Sequence, residues 1–149
     1  MKTQILKSVF IVLILTTSLS SCNNDDVASP PPPGLAELLY AEGGASGFSS
    51  VSNTSASESS REIYGRNGTT EVVKMKLPYL AIGVYTIGTG VEFTYTRPST
   101  SSPWTAGTGT ILITENTGTT ISGSFVLNSG SSDLGINQVN GSFRNVPLN

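Results

Sequence analysis

From Thr69 onward the apolar residues fall on alternate positions, and a period of two restricts a chain to strands. Val73, Met75 and Leu77 alternate with Lys74 and Lys76, and Val91, Phe93 and Tyr95 alternate with Glu92, Thr94 and Thr96. Successive side chains of a strand point to opposite faces, so each run has one oily and one wet side, as an antiparallel sheet with a single buried face requires. Turn chemistry separates the runs. Asn67-Gly68 is a hairpin dipeptide, Pro78 ends a strand, and Gly88 to Gly90 and Asn116 to Gly118 are turns. Arg61 to Arg66, Ala81 to Ile87 and Thr110 to Thr114 read as further strands, and Pro98 to Gly109 as a Ser, Thr, Pro and Gly loop that carries the only tryptophan, Trp104. Short strands at this spacing predict an all-β domain, an antiparallel β-sandwich with an open β-barrel as the alternative.

The end of the chain contains an echo, Ile121-Ser122-Gly123-Ser124-Phe125 and Val139-Asn140-Gly141-Ser142-Phe143, around a loop from Ser129 to Gly135. The two copies read as the strands of one hairpin, and the sequence predicts their register. Setting Gly123 opposite Phe143 and Phe125 opposite Gly141 also sets Leu127 opposite Val139. Each ring then lies over the glycine across from it and recovers the contact that glycine lacks. A slip of two residues sets glycine opposite glycine instead.

Before Thr69 the pattern is weaker. Leu35, Leu38 and Leu39 fall at helical spacing, with Glu37 and Glu42 elsewhere on the turn, which predicts a short N-terminal helix with an edge strand as the alternative. Two helical turns are marginal alone and need the domain to pack against. Gly43 to Ser60 is rich in Gly, Ser and Thr around Phe48 and Val51, and reads as one irregular edge strand between loops.

The first residues have the anatomy of an export leader. Lys2 and Lys7 precede an apolar run from Ser8 to Leu15, followed by small and polar residues. That run is about half of the roughly 20 apolar residues needed to span a bilayer. Leu19-Ser20-Ser21-Cys22 follows it directly and resembles the lipobox of bacterial lipoproteins. The resemblance implies cleavage before Cys22, a diacylglycerol on its thiol, and an acyl chain such as palmitate on its new amine. More than one acyl chain is what makes such an anchor durable. An unmodified lone thiol in an exported chain has no intramolecular partner. Pro30 to Pro33 favour an extended spacer, and Asp25 and Asp26 read either as a surface-export signal or as solvated linker charges. The expected organisation is therefore a signal peptide over 1–21, a lipidated cysteine and tether over 22–34, and a single β-domain over 35–149. The expected place is the bacterial outer membrane, lipid-anchored on its cell-surface or periplasmic face.

Ile121 to Phe125, together with Asn140-Gly141-Ser142-Phe143-Arg144-Asn145-Val146, resembles short β-rich lipoproteins of gram-negative bacteria that are grouped as a domain of unknown function. Gly83-Val84-Tyr85 and Ile111 to Thr114 extend the likeness more loosely. The resemblance implies an anchored β-domain and carries over no catalytic residue.

Beyond residue 21 ten acids face six cations, so the mature chain is mildly acidic. No basic cluster exists, and nucleic acid is excluded as a partner. The chain has no histidine, and its one cysteine is the lipid candidate. Ser-His, Cys-His and zinc-imidazole sites are excluded with them. A carboxylate pair from Glu58, Glu62, Glu71, Glu92, Glu115 and Asp133 is the remaining catalytic option, against their plainer reading as solvated charges. The Asn128 to Asn137 loop lacks the ligand pattern of an EF-hand, and no metal or cofactor is expected. Trp104, with Tyr95 and Arg97, is the candidate ligand contact, because an aromatic beside a guanidinium can stack on a sugar ring. The plainer reading is a tryptophan folded over one end of the core. The expected role is a non-catalytic binding or structural domain, its partners the membrane and a glycan or protein ligand. A glycan-binding or glycan-processing component and an accessory subunit of an outer-membrane complex are the alternatives.

Overall fold

A computed structural model describes residues 34–43, 47–131 and 135–149. Leu19, Ser20, Ser21 and Cys22, the Asp25–Asp26 pair, the four prolines and Asp133 lie outside the described residues. Ten strands are formed: β1 (Glu37–Glu42), β2 (Ser49–Ser50), β3 (Asn53–Ser57), β4 (Glu62–Asn67), β5 (Thr70–Lys76), β6 (Gly83–Thr86), β7 (Glu92–Arg97), β8 (Ser102–Asn116), β9 (Thr120–Ser131) and β10 (Gln138–Pro147). Among the described residues there is no helix, and the all-β expectation is met.

The strands belong to one antiparallel sheet in the order β2-β1-β10-β9-β8-β7-β5-β4-β3, curled into a half-barrel, with β6 paired to β8 beside that path. β8 carries the curl. One of its edges is covered by β9 from Thr105 to Asn116, while the other is shared between β7, along Ser102 to Thr105, and β6, along Thr110 to Ile113. Three irregularities in its pairing with β9 bend it along its length, as bulges do. The two ends of the sheet approach each other. Val51 donates from its backbone to Leu38, and an isolated parallel bridge joins Ala56 to Leu148.

The alternation read from the sequence sorts the core. Val73, Met75, Leu77, Val91, Phe93 and Tyr95 are all buried and share one cluster with Leu38, Ile63, Trp104, Ile111, Phe125 and Phe143. Phe93 on β7 meets Phe125 on β9 with ring centroids 5.1 Å apart. Val72 and Val73 both face inward because the β4–β5 register shifts between Gly65 and Arg66.

The predicted hairpin register is the one observed: Gly123 pairs with Phe143, Phe125 with Gly141 and Leu127 with Val139. A β-carbon placed on Gly123 would lie 2.5 Å from Cζ of Phe143, and one on Gly141 the same distance from Cζ of Phe125. Each would also collide with a carbonyl oxygen of the flanking strand, that of Leu112 on β8 and that of Leu39 on β1. The two glycines thus admit a ring on one side and a neighbouring backbone on the other.

Three expectations are corrected. The N-terminal helix is strand β1, paired along its whole length with β10 and at Leu39 and Tyr40 with β2. The helical spacing of Leu35, Leu38 and Leu39 is incidental: Leu38 and Tyr40 alternate into the core while Leu35 is exposed. Six registered pairs along an open sheet edge outweigh two turns of a marginal helix. Second, most of the Pro98 to Gly109 loop is the first half of β8, in which Trp104 and Ala106 point inward. Its Ser, Thr, Pro and Gly composition reads as a turn, yet Pro103 is exposed and Gly109, with φ of 126°, sits against the backbone of β9. Third, the irregular strand before residue 60 is two strands, β2 and β3.

Candidate functional site

One end of the half-barrel is built from the end of β1, the turn between β7 and β8, and the start of β10. A groove of about 490 Å³ opens there, lined by Tyr40, Glu42, Ser49, Tyr95, Arg97 and Ser99 among others. The residues come from strands that do not pair: β1 and β7 are separated in the sheet by β10, β9 and β8. The curl brings them face to face, and Tyr40 and Tyr95 meet with centroids 5.3 Å apart at 48°.

The polar groups of the groove are joined to one another. The Tyr95 hydroxyl donates to Oε1 of Glu42 at 2.5 Å, Arg97 Nε donates to the same oxygen at 3.0 Å, and an Arg97 terminal nitrogen pairs with Oε2. Glu42 accepts three donors and is held below the usual carboxylate range, chiefly by the Arg97 hydrogen bond, which outweighs the opposing effect of burial and is helped by the hydrogen bond from Tyr95. Burial pushes the Tyr95 hydroxyl far above the ordinary tyrosine value, with the Glu42 carboxylate adding to the effect. Tyr40 is raised chiefly by burial too. Glu42 is a buried-edge acceptor and Tyr95 a fixed donor, so neither is poised to exchange a proton near neutral pH. The arrangement is a clasp between β1 and β7 that leaves the hydroxyls of Ser49 and Ser99 and the outer side of Arg97 along the groove.

The structure brings Tyr95 and Arg97 together at this groove and places Trp104 elsewhere. Trp104 is registered opposite Tyr95, is 1% exposed, stands edge-on to Phe93 at 6.1 Å, and donates from Nε1 to the Ile136 carbonyl at 2.9 Å. Its ring is core, and its one polar atom ties the β9–β10 connection to β8. We expect the emission of Trp104 to be blue-shifted, to resist iodide and acrylamide, and to ignore added oligosaccharides. Ready quenching by iodide would show that the ring is reached from solvent.

The carboxylates considered from sequence are dispersed. Glu62 accepts from the Tyr64 hydroxyl, which holds it below the usual range, and pairs with Lys74 at 3.0 Å. Glu71 pairs with Arg66 at 3.7 Å, Glu92 is registered opposite Lys76, and Glu115 accepts from Ser122 at 3.3 Å. Glu58 lies in the turn after β3, and Asp133 lies outside the described residues. None of the five described ones lines the groove. Among the described residues no group of three His, Cys, Asp or Glu side chains is placed to hold a metal ion. No described helix is long and apolar enough to cross a membrane. Glu42, Tyr40 and Ser49 were not legible as site residues, because a helical reading of β1 hides its alternation and nothing local announces that β1 faces β7.

A curled antiparallel sheet with a self-paired polar clasp at one mouth is the class of domain these residues define. The chain belongs to DUF6252, a family of domains of unknown function, whose model matches residues 47–147. No curated protein and no solved structure matches the chain.

Proposed function

We propose that this protein is a lipid-anchored envelope lipoprotein that presents a non-catalytic binding domain. The observation that carries the binding part is the mouth groove, whose Glu42, Arg97 and Tyr95 side chains are joined in one clasp, leaving a polar recess of ligand-sized volume. Anchoring rests on the lipobox-like Leu19-Ser20-Ser21-Cys22 directly after an apolar run. Serine hydroxyls and a guanidinium suit a polar ligand, and a glycan is the ligand class favoured over an apolar one.

The test uses the full-length protein and a Cys22→Ala variant in a gram-negative host, with membrane partitioning and protease treatment of intact cells. The wild type is expected in the membrane fraction and the variant in the soluble fraction. Equal solubility of both would defeat the anchor. Shaving of the wild type from intact cells assigns the outer face, and protection assigns the periplasmic one. A glycan array probed with the wild type then tests the ligand class, and stoichiometric co-purification with one protein instead would favour the accessory-subunit reading.

A further inference from the structure

Charge is segregated on this sheet. β4, β5 and β7 carry seven charged side chains, whereas β6, β8 and β9 together carry only Glu115. From Leu77 to Val91 the sequence has no charged residue at all. The exposed large apolar side chains collect on the uncharged part. Val84 is registered opposite Leu112, and Val126 opposite Thr110, two positions along the same face from Leu112. Ile82, Val84 and Tyr79 are 65%, 67% and 60% exposed, and Val126 is 49% exposed. Five of the seven exposed large apolar residues among the described ones lie in this one region. A contiguous apolar patch rimmed by polar residues marks an interaction surface.

The tether bears on what covers it. The registered pairs Ala41 with Asn140, Asn140 with Val126, Val126 with Thr110 and Thr110 with Thr86 run across the sheet and join this face to β1, the strand that the tether enters. Leu35, which is 77% exposed, precedes β1. Gly34 lies twelve positions after Cys22, and a polyproline spacer of that length reaches roughly 37 Å. We infer that the outer face of β6, with the neighbouring outward positions of β8 and β9, rests on the lipid surface that holds the acyl chains of Cys22. This rests on the anchoring reading above.

The chemistry of the face fits that occupant. A charged side chain resists transfer toward the acyl boundary, and this face has almost none to desolvate. Aliphatic Ile82 and Val84 provide area, Tyr79 has the amphipathic ring favoured at headgroup level, and Thr86 and Thr110 offer hydroxyls to headgroups. With no basic cluster the contact draws nothing from anionic lipid, so it is insensitive to salt and to the anionic fraction. A patch of this size is weak alone, but a short tether raises its local concentration enough to keep it occupied.

The experiment uses the full-length lipidated protein, purified from membranes and reconstituted into vesicles of phosphatidylethanolamine and phosphatidylglycerol. An environment-sensitive fluorophore is attached through Val84→Cys, through Ile82→Cys, or through Thr100→Cys in the far turn. Mass spectrometry first establishes whether Cys22 carries lipid. The labels at positions 82 and 84 are expected to blue-shift, to be quenched severalfold more by quencher-bearing lipid than the label at 100, and to keep this contrast in high salt. Equal behaviour of all three labels on a lipidated chain overturns the docking and leaves the anchor standing. Shielding from iodide without quenching from lipid means that protein covers the face, a second copy or a partner, and also overturns it. An unlipidated Cys22 overturns the anchor and removes the docking with it.

Discussion

Gly141→Ala is expected to destabilise the domain by about 3 kcal/mol, and Gly141→Val to abolish folding. The reason is that two obstacles meet at one position. A β-carbon at 141 collides with the Phe125 ring, which can rotate away at a cost, and with the Leu39 carbonyl, which cannot move without opening the β1–β10 ladder. Gly123→Ala meets the same pair of obstacles in Phe143 and the Leu112 carbonyl, and should cost a similar amount. Gly47→Ala is the control, since nothing lies within 4 Å of its added carbon; its melting temperature should match the wild type. Calorimetry separates the two obstacles. Adding Phe125→Leu to Gly141→Ala is expected to recover the ring's share and leave the carbonyl's. A Gly141→Ala protein as stable as the wild type would show that the strands do not approach as described.

Glu42→Ala is expected to cost about 2 kcal/mol at neutral pH, roughly 10 °C in melting temperature for a domain of this size. The ion pair with Arg97 contributes the smaller share, because 27% of the Arg97 side chain and 30% of that of Glu42 remain in water. The larger share is the Tyr95 hydroxyl, in a residue 1% exposed, left without its acceptor. The pH dependence follows from the directions of the shifts. Glu42 is depressed in the folded state, so its contribution is present above the unfolded value near pH 4.3 and is lost as pH falls through the lower folded value. Tyr95 is raised, so its contribution is present below about pH 10 and is lost as pH climbs through the higher folded value. Glu42→Gln keeps an acceptor for Tyr95 and should therefore lose less than Glu42→Ala while flattening the acid limb. Unchanged acid limbs in both variants would contradict the clasp.

How much of this was legible in the sequence depended on where the partner of each segment lay. The strands from Val73 to Tyr95 announce themselves, because alternation is a local signal and each strand's polar side is wet. The Gly–Phe register was also legible, since the two copies of the echo are each other's partners and constrain each other. β1 was not: its inward residues make sense only beside β10, about 100 positions away, and Leu35, Leu38 and Leu39 satisfy a helical pattern. The first half of β8 was hidden differently. Its outward positions are Pro103, Thr105 and Gly107, residues of turns, and only the burial of Trp104 and Ala106 between them discloses a strand. Of the candidate site, Tyr95 and Arg97 were named as neighbours of Trp104, and they line the groove although Trp104 itself is core. Glu42 was not, because its role is set by the curl of the whole sheet.

The pairing of β1 with β10 also sets the order in which the chain can complete itself. Nearly all of the remaining strands join a neighbour close in sequence, but β1 has no full-length partner until residues 138–147 are present. Closing so long a loop is slow, and contacts of high sequence separation slow folding generally. A chain emerging from its N-terminus therefore carries a first strand without its full-length partner almost to the last. On the exported-lipoprotein reading proposed above, that delay is an advantage: the strand that completes the half-barrel is the final piece to arrive.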